Sequence, residues 1–111
     1  MTMRRLAFLA AVAALAIVAS TAHAAAEKRC GDLSNAPDTA QDIRALGVSC
    51  TKARSIARSH HRQVGAGERC DLRKSSCTLS GYTCRRTFFG NSGTRVRCTN
   101  GPKRIRFFYG V

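Results

Sequence analysis

Six cysteines, Cys30, Cys50, Cys70, Cys77, Cys84 and Cys98, all lie downstream of an export leader, and this constrains the fold more than any other feature. Residues 1–5 are short and basic, residues 6–19 form an unbroken apolar run, and Ala22-His23-Ala24 offers small residues at the −3 and −1 positions of a cleavage site. The run is shorter than the roughly 20 residues that span a bilayer, and no second run of this kind follows. The chain is therefore expected to be secreted or held at the cell envelope, with cleavage after Ala24, or after Ala26 as the alternative. An even set of cysteines in an exported chain predicts three disulfides. Zinc is the competing use, but no tight Cys-x-x-Cys pair supports it. What remains after cleavage makes one small domain, and at roughly 60% surface burial its apolar core is marginal without such staples.

The predicted organisation is a signal peptide over 1–24, an extended and turn-rich segment over 25–40, and a disulfide-bonded α+β domain over 41–111. Residues 25–29 read as a frayed start, so ordered structure is expected to begin later. Residues 41–46 alternate enough, with Ile43 and Ala45 on one side, to predict a short strand ending at Gly47. Ser49 is a suitable N-cap, and Ala53, Ile56, Ala57 and His60 recur at i, i+3, i+4 and i+7. Together they predict a helix over 50–61 with one face on a core. Arg54, Arg58 and Arg62 fall on another face of it, toward solvent. Residues 63–80 carry no apolar period and read as a long loop clipped by Cys70 and Cys77.

From Gly81 onward the pattern has period two. Tyr82, Cys84, Val96, Cys98, Ile105, Phe107 and Tyr109 mark one apolar face of a three-stranded antiparallel meander, which the helix must cover. The expected fold is therefore α+β: one helix on a three-stranded meander with a short N-terminal strand. A first hairpin centred on Asn91 sets Cys84 opposite Cys98 and Arg85 opposite Arg97. Pro102 has no N–H to give to a tight Asn-Gly turn, so the second hairpin is expected to use a longer loop; centred between Gly101 and Pro102, it sets Arg97 opposite Arg106. Register and short loops favour pairing Cys30 with Cys50, Cys70 with Cys77 and Cys84 with Cys98. The main rival among the fifteen connectivities joins Cys50 to Cys98.

The pattern Val-Ser-Cys50-x-x-Ala53, followed by Gly81-Tyr-x-Cys84 and Val96-x-Cys98, resembles a family of small secreted actinobacterial proteins. The resemblance covers roughly residues 30–109 and implies a compartment and a fold more than an activity; Cys70 and Cys77 stand outside the common pattern. At fold level alone, a helix followed by a meander is also similar to one repeat of the beta-lactamase inhibitor protein, which transfers no function.

The chain holds 19 Lys and Arg against 6 Asp and Glu, and of these only Arg4 and Arg5 fall in the leader. Such a surface attracts polyanions, and net charge does not choose among them. The outward sheet face is the expected binding site. Arg85, Arg97 and Arg106 lie in one row, Arg95 and Arg104 are their neighbours, and Thr83, Thr87, Phe89 and Phe108 stand beside them. Arginine forks suit phosphate and carboxylate; a solvated basic face is the competing explanation.

No catalytic residue, metal site or cofactor is expected. Cys50 at a helix start could be an activated thiolate, but His60 and His61 lie at the other end of the same helix, and a disulfide role is favoured. Adjacent histidines do not make the i, i+4 pair of a zinc site. A ribonuclease using His60 or Glu68 as base lacks any spacing that brackets a phosphate. The expectation is a secreted, non-catalytic module that binds an anionic cell-envelope polymer or an acidic protein, with no specific reading of nucleic acid. The alternatives are a protein-directed inhibitor using loops 69–80 or 86–95 and, behind it, a small basic hydrolase.

Overall fold

The computed structural model describes residues 26–88 and 92–110. The expected signal peptide and Phe89 lie outside them. Strands β1 (Lys28–Gly31) and β2 (Gln41–Leu46) precede helix α1 (Cys50–Arg62). After the helix come β3 (Ser76–Leu79), β4 (Tyr82–Phe88), β5 (Thr94–Asn100) and β6 (Lys103–Tyr109). The strands form a single six-stranded antiparallel sheet in the order β1-β2-β6-β5-β4-β3.

The α+β class with one helix is as expected, but the sheet has six strands where a three-stranded meander plus one short strand was predicted. Two segments account for the difference. Strand β1 pairs with β2, so order begins well before Gln41 and the turn-rich stretch is a loop inside the fold. Strand β3 pairs with β4 through a two-residue connection, Ser80-Gly81, whose φ angles of 50° and 83° are both left-handed. Two positive φ values match the twist of a tight hairpin, and glycine takes the second at no steric cost. The segment read as one long loop thus ends in a strand.

The helix forms where the sequence placed it, one residue longer. The Ser49 side chain accepts a hydrogen bond from the Lys52 N–H at 3.1 Å, which satisfies one of the open donors of the first turn. Ala53, Ile56, Ala57 and His60 are buried against the sheet, where Ile43, Ala45, Tyr82, Cys84, Val96, Cys98, Ile105, Phe107 and Tyr109 complete the core. Four alternating strands and one helical stripe thus meet as two layers, neither of which could bury its apolar side alone.

Arg54 departs from the expected solvent-facing row. One of its terminal nitrogens donates to the carbonyls of Cys30 and Asp32, both at 2.9 Å, and pins the N-terminal strand to the helix. The Cys30–Cys50 disulfide ties the same two elements covalently. Cys70–Cys77 closes the segment before β3, and Cys84–Cys98 crosses between β4 and β5.

The β5–β6 connection is tighter than expected. Asn100 pairs with Lys103, leaving only Gly101 and Pro102 in the loop. Gly101 has φ 57°, and proline's fixed negative φ suits the second position of a type II′ turn. In this register Pro102 sits where no N–H is required, so the missing donor costs nothing.

His60 is 3% exposed and lies beside Phe107 and Tyr109. Its Nδ1 is 2.7 Å from the Tyr109 hydroxyl. Burial, with a smaller contribution from neighbouring His61, pushes the imidazole pKa down to about 4, and burial raises that of the Tyr109 phenol. Between about pH 4 and the unfolded value near 6.5 the unfolded chain binds the proton and the folded chain does not. The stability from keeping His60 neutral is complete above about pH 6.5 and is lost as pH falls toward 4, on the order of 3 kcal/mol in all. Urea titrations at pH 7, 5 and 4 are expected to show this decline, and His60→Leu is expected to flatten it. An unchanged slope in the variant would assign the acid lability elsewhere.

A candidate anion-binding face

The face of the sheet away from the helix carries the charge. Each strand alternates, so residues that flank the buried positions point outward together. Register then aligns them: Arg29 opposes Arg44, Arg44 opposes Arg106, Arg106 opposes Arg97, and Arg97 opposes Arg85. The row contains the expected Arg85, Arg97 and Arg106 and extends through Arg44 and Arg29 onto two further strands. Like charges directly opposed across strands cost up to about 1 kcal/mol per pair, so an unbroken row of arginines calls for counter-charge.

Among the described residues, counter-charge meets this row at one end only. Glu27, just before β1, is held among arginines contributed by β2 and β6. Its Oε2 accepts from Arg104 Nη2 at 3.0 Å and Arg106 Nε at 3.1 Å. Its Oε1 accepts from Arg106 Nη2 and lies 3.9 Å from Arg44 Nη1. Arg44 also pairs with Asp42 at 3.3 Å. Hydrogen bonding from Arg106, then from Arg104, holds the Glu27 carboxyl below its usual range although burial opposes this, and the same contact raises Arg106. The side chains of Arg85 and Arg97 are exposed and have neither hydrogen bond nor ion pair among the described residues. The expected site is therefore divided: Arg104 and Arg106 are already engaged with a carboxylate, and Arg85 and Arg97 are open.

Two hollows flank this division. One of about 190 Å³ is bounded by Asp42, Arg44, Arg95, Arg106, Phe107 and Phe108. The other, of about 220 Å³, is bounded by Thr87, Arg95, Val96, Arg97, Arg104 and Arg106. Phe108, expected on the outward face, lines the first. Thr83 is exposed in the row next to the arginines, opposite Thr99. Sequence reasoning missed Glu27, Arg44 and Arg29, because no local pattern joins Glu27 to residues 77 and 79 positions away.

The remaining candidates sit elsewhere. Cys50 is bonded to Cys30. His60, Cys70 and Cys77 bring potential ligand atoms within 4.8 Å of one another, but both sulfurs are joined to each other and are not thiolates. Glu68 is exposed in the segment after the helix, whereas His60 is buried in the core. Within that segment Asp71 is buried and accepts from the backbone N–H groups of Gly67 and Arg73 and from the Arg73 guanidinium, whose closest contact is 2.7 Å. The Arg73 side chain above all holds its carboxyl well below the usual range. Loop 69–80 is consequently a braced segment ending in β3. Loop 86–95 falls partly outside the described residues.

Among the described residues no helix is long and apolar enough to cross a membrane. The chain matches no family model, no curated protein and no solved structure, so neither resemblance drawn from its cysteine pattern gains support there. Three disulfides in a domain of this size are consistent with an extracellular location.

Proposed function

We propose that the protein is an exported, non-catalytic binding module that holds an anionic polymer or an acidic protein on the outer face of its sheet. The observation that carries this reading is the pair Arg85 and Arg97, exposed and without counter-charge among the described residues, continuing a row in which Arg106 and Arg44 already meet a carboxylate. Glu27 serves as an internal example of the chemistry: arginine forks at this face accept a carboxylate through paired N–H groups. The resemblance of the helix start to small secreted actinobacterial proteins agrees with export and adds no ligand.

The test is capture of the mature, oxidised protein on cell envelope, a heparin-like polymer and a phosphodiester polymer at low and high salt. Binding is expected to weaken linearly on a plot of log affinity against log salt, because counterions released by each contact must be returned. Salt-insensitive capture of a single secreted protein would overturn the polyanion reading and favour an inhibitor acting through its loops.

A further inference from the structure

We infer that the hollow bounded by Thr87, Arg97, Arg104 and Arg106 is a discrete seat for one doubly charged phosphate group, the unit by which this face grips its anionic partner. The inference rests on the anion-binding reading above and narrows it to a ligand chemistry and a place. Three observations lead to it.

The first is charge. Leaving Arg95 aside, three guanidiniums border the hollow, and among the described residues the one carboxylate hydrogen-bonded to them is Glu27, on the Arg104 and Arg106 side, while Asp42 is paired with Arg44. An excess of two positive charges remains. A single carboxylate would leave half of it, whereas a phosphomonoester dianion balances it and pyrophosphate more than does so.

The second is direction. Thr87 comes from β4, Arg97 from β5, and Arg104 and Arg106 from β6, so donors approach from three neighbouring strands. A planar carboxylate presents two oxygens side by side, the arrangement Glu27 already uses on Arg106. A tetrahedral phosphate turns oxygens toward several strands at once and can also accept from the Thr87 hydroxyl.

The third is an unused donor. Arg104 Nε is shut off from water and has no hydrogen-bond acceptor among the described residues, although Arg104 Nη2 is engaged by Glu27. Such a group carries a desolvation penalty that an incoming anionic oxygen, or a shift of Arg104 toward one, relieves. The hollow's size fits the same conclusion. At about 220 Å³ it exceeds several-fold the roughly 30 Å³ share of one water and falls below the roughly 300–1,000 Å³ of sites for whole drug-sized molecules. It suits a charged group with the start of its ester, the rest of the ligand lying along the row toward Arg85.

The experiment titrates the mature, oxidised protein with inorganic pyrophosphate, inorganic phosphate and acetate at constant ionic strength, followed by the arginine Nε–Hε resonances. Pyrophosphate and phosphate are expected to saturate one site and acetate is not. Arg97→Gln is expected to weaken pyrophosphate binding at least tenfold. Arg85→Gln, outside the hollow, is expected to change it less than twofold while still lowering polymer capture. Glu27→Gln is expected to tighten it several-fold by removing the competing charge. Equal losses in Arg85→Gln and Arg97→Gln, or no saturation by phosphate or pyrophosphate in the tens of millimolar, would overturn the seat. If salt-dependent polymer capture persists in that case, the binding face stands without it; if capture is absent as well, the proposed function falls with it.

Discussion

Replacing Arg85 and Arg97 together by glutamine is expected to cut capture by a polyanion on the order of 100-fold at low salt, at about 1.5 kcal/mol for each charge-assisted hydrogen bond lost. The salt dependence should become shallower by roughly one unit of log–log slope per arginine removed. Folding should survive the change, because both side chains are exposed and neither is paired among the described residues. Relieving their mutual opposition should even add a few tenths of a kcal/mol of stability. Arg104 and Arg106 make the instructive contrast. Their substitution releases Glu27 and with it the start of β1, so binding and stability should change together. Unaltered capture by the Arg85 and Arg97 double variant would place the binding surface elsewhere on the molecule.

The largest expected effect on stability comes from the Cys84–Cys98 disulfide. It joins directly opposed residues of β4 and β5, both almost fully buried at the centre of the core. Closing a loop of roughly 15 residues stabilises by about 3 kcal/mol in the chain-entropy model. For a domain of this size that corresponds to a melting temperature lower by roughly 12–24 °C when both residues are replaced by alanine. Two further losses act in the same direction: the vanished sulfur volume leaves a void against Ile105, and the sheet loses a covalent cross-strand tie between β4 and β5. Thermal denaturation of the double variant, with the other two disulfides intact, checks this. A change of less than about 3 °C would mean that hydrogen bonding and packing of the meander suffice without the staple.

The parts of the fold that could be read from the residues are those where burial imposes a period. In β4, β5 and β6 one face is core and the other solvent, so Tyr82, Cys84, Val96, Cys98, Ile105, Phe107 and Tyr109 recur every second position and fix the register as well. Ser49 with the stripe from Ala53 to His60 did the same for the helix. Strand β1 has no such imprint: Lys28, Arg29 and Gly31 are exposed, and Cys30 is only partly buried. It is held by pairing with β2, by the Cys30–Cys50 bond and by Arg54, none of which leaves a local pattern. Strand β3 offered one cue, the Ser80-Gly81 pair ahead of the alternating Tyr82-Thr83-Cys84, which is a recognised turn signal. The candidate face was legible to the extent that alternation and hairpin register align arginines. Its partition by Glu27 was not, since that contact exists only once the two ends of the chain are brought side by side.

The two outermost strands of the sheet are also its shortest regular elements, and each carries a half-cystine: Cys30 in β1 and Cys77 in β3. An open sheet edge is a template on which another chain can add a strand, and short, tethered edges give such a chain little to pair with. The bonds that brace the fold therefore also guard against self-association. Reducing Cys30–Cys50 and Cys70–Cys77 is therefore expected to free both edge strands to pair with another chain, so that loss of shape and gain of self-association come together.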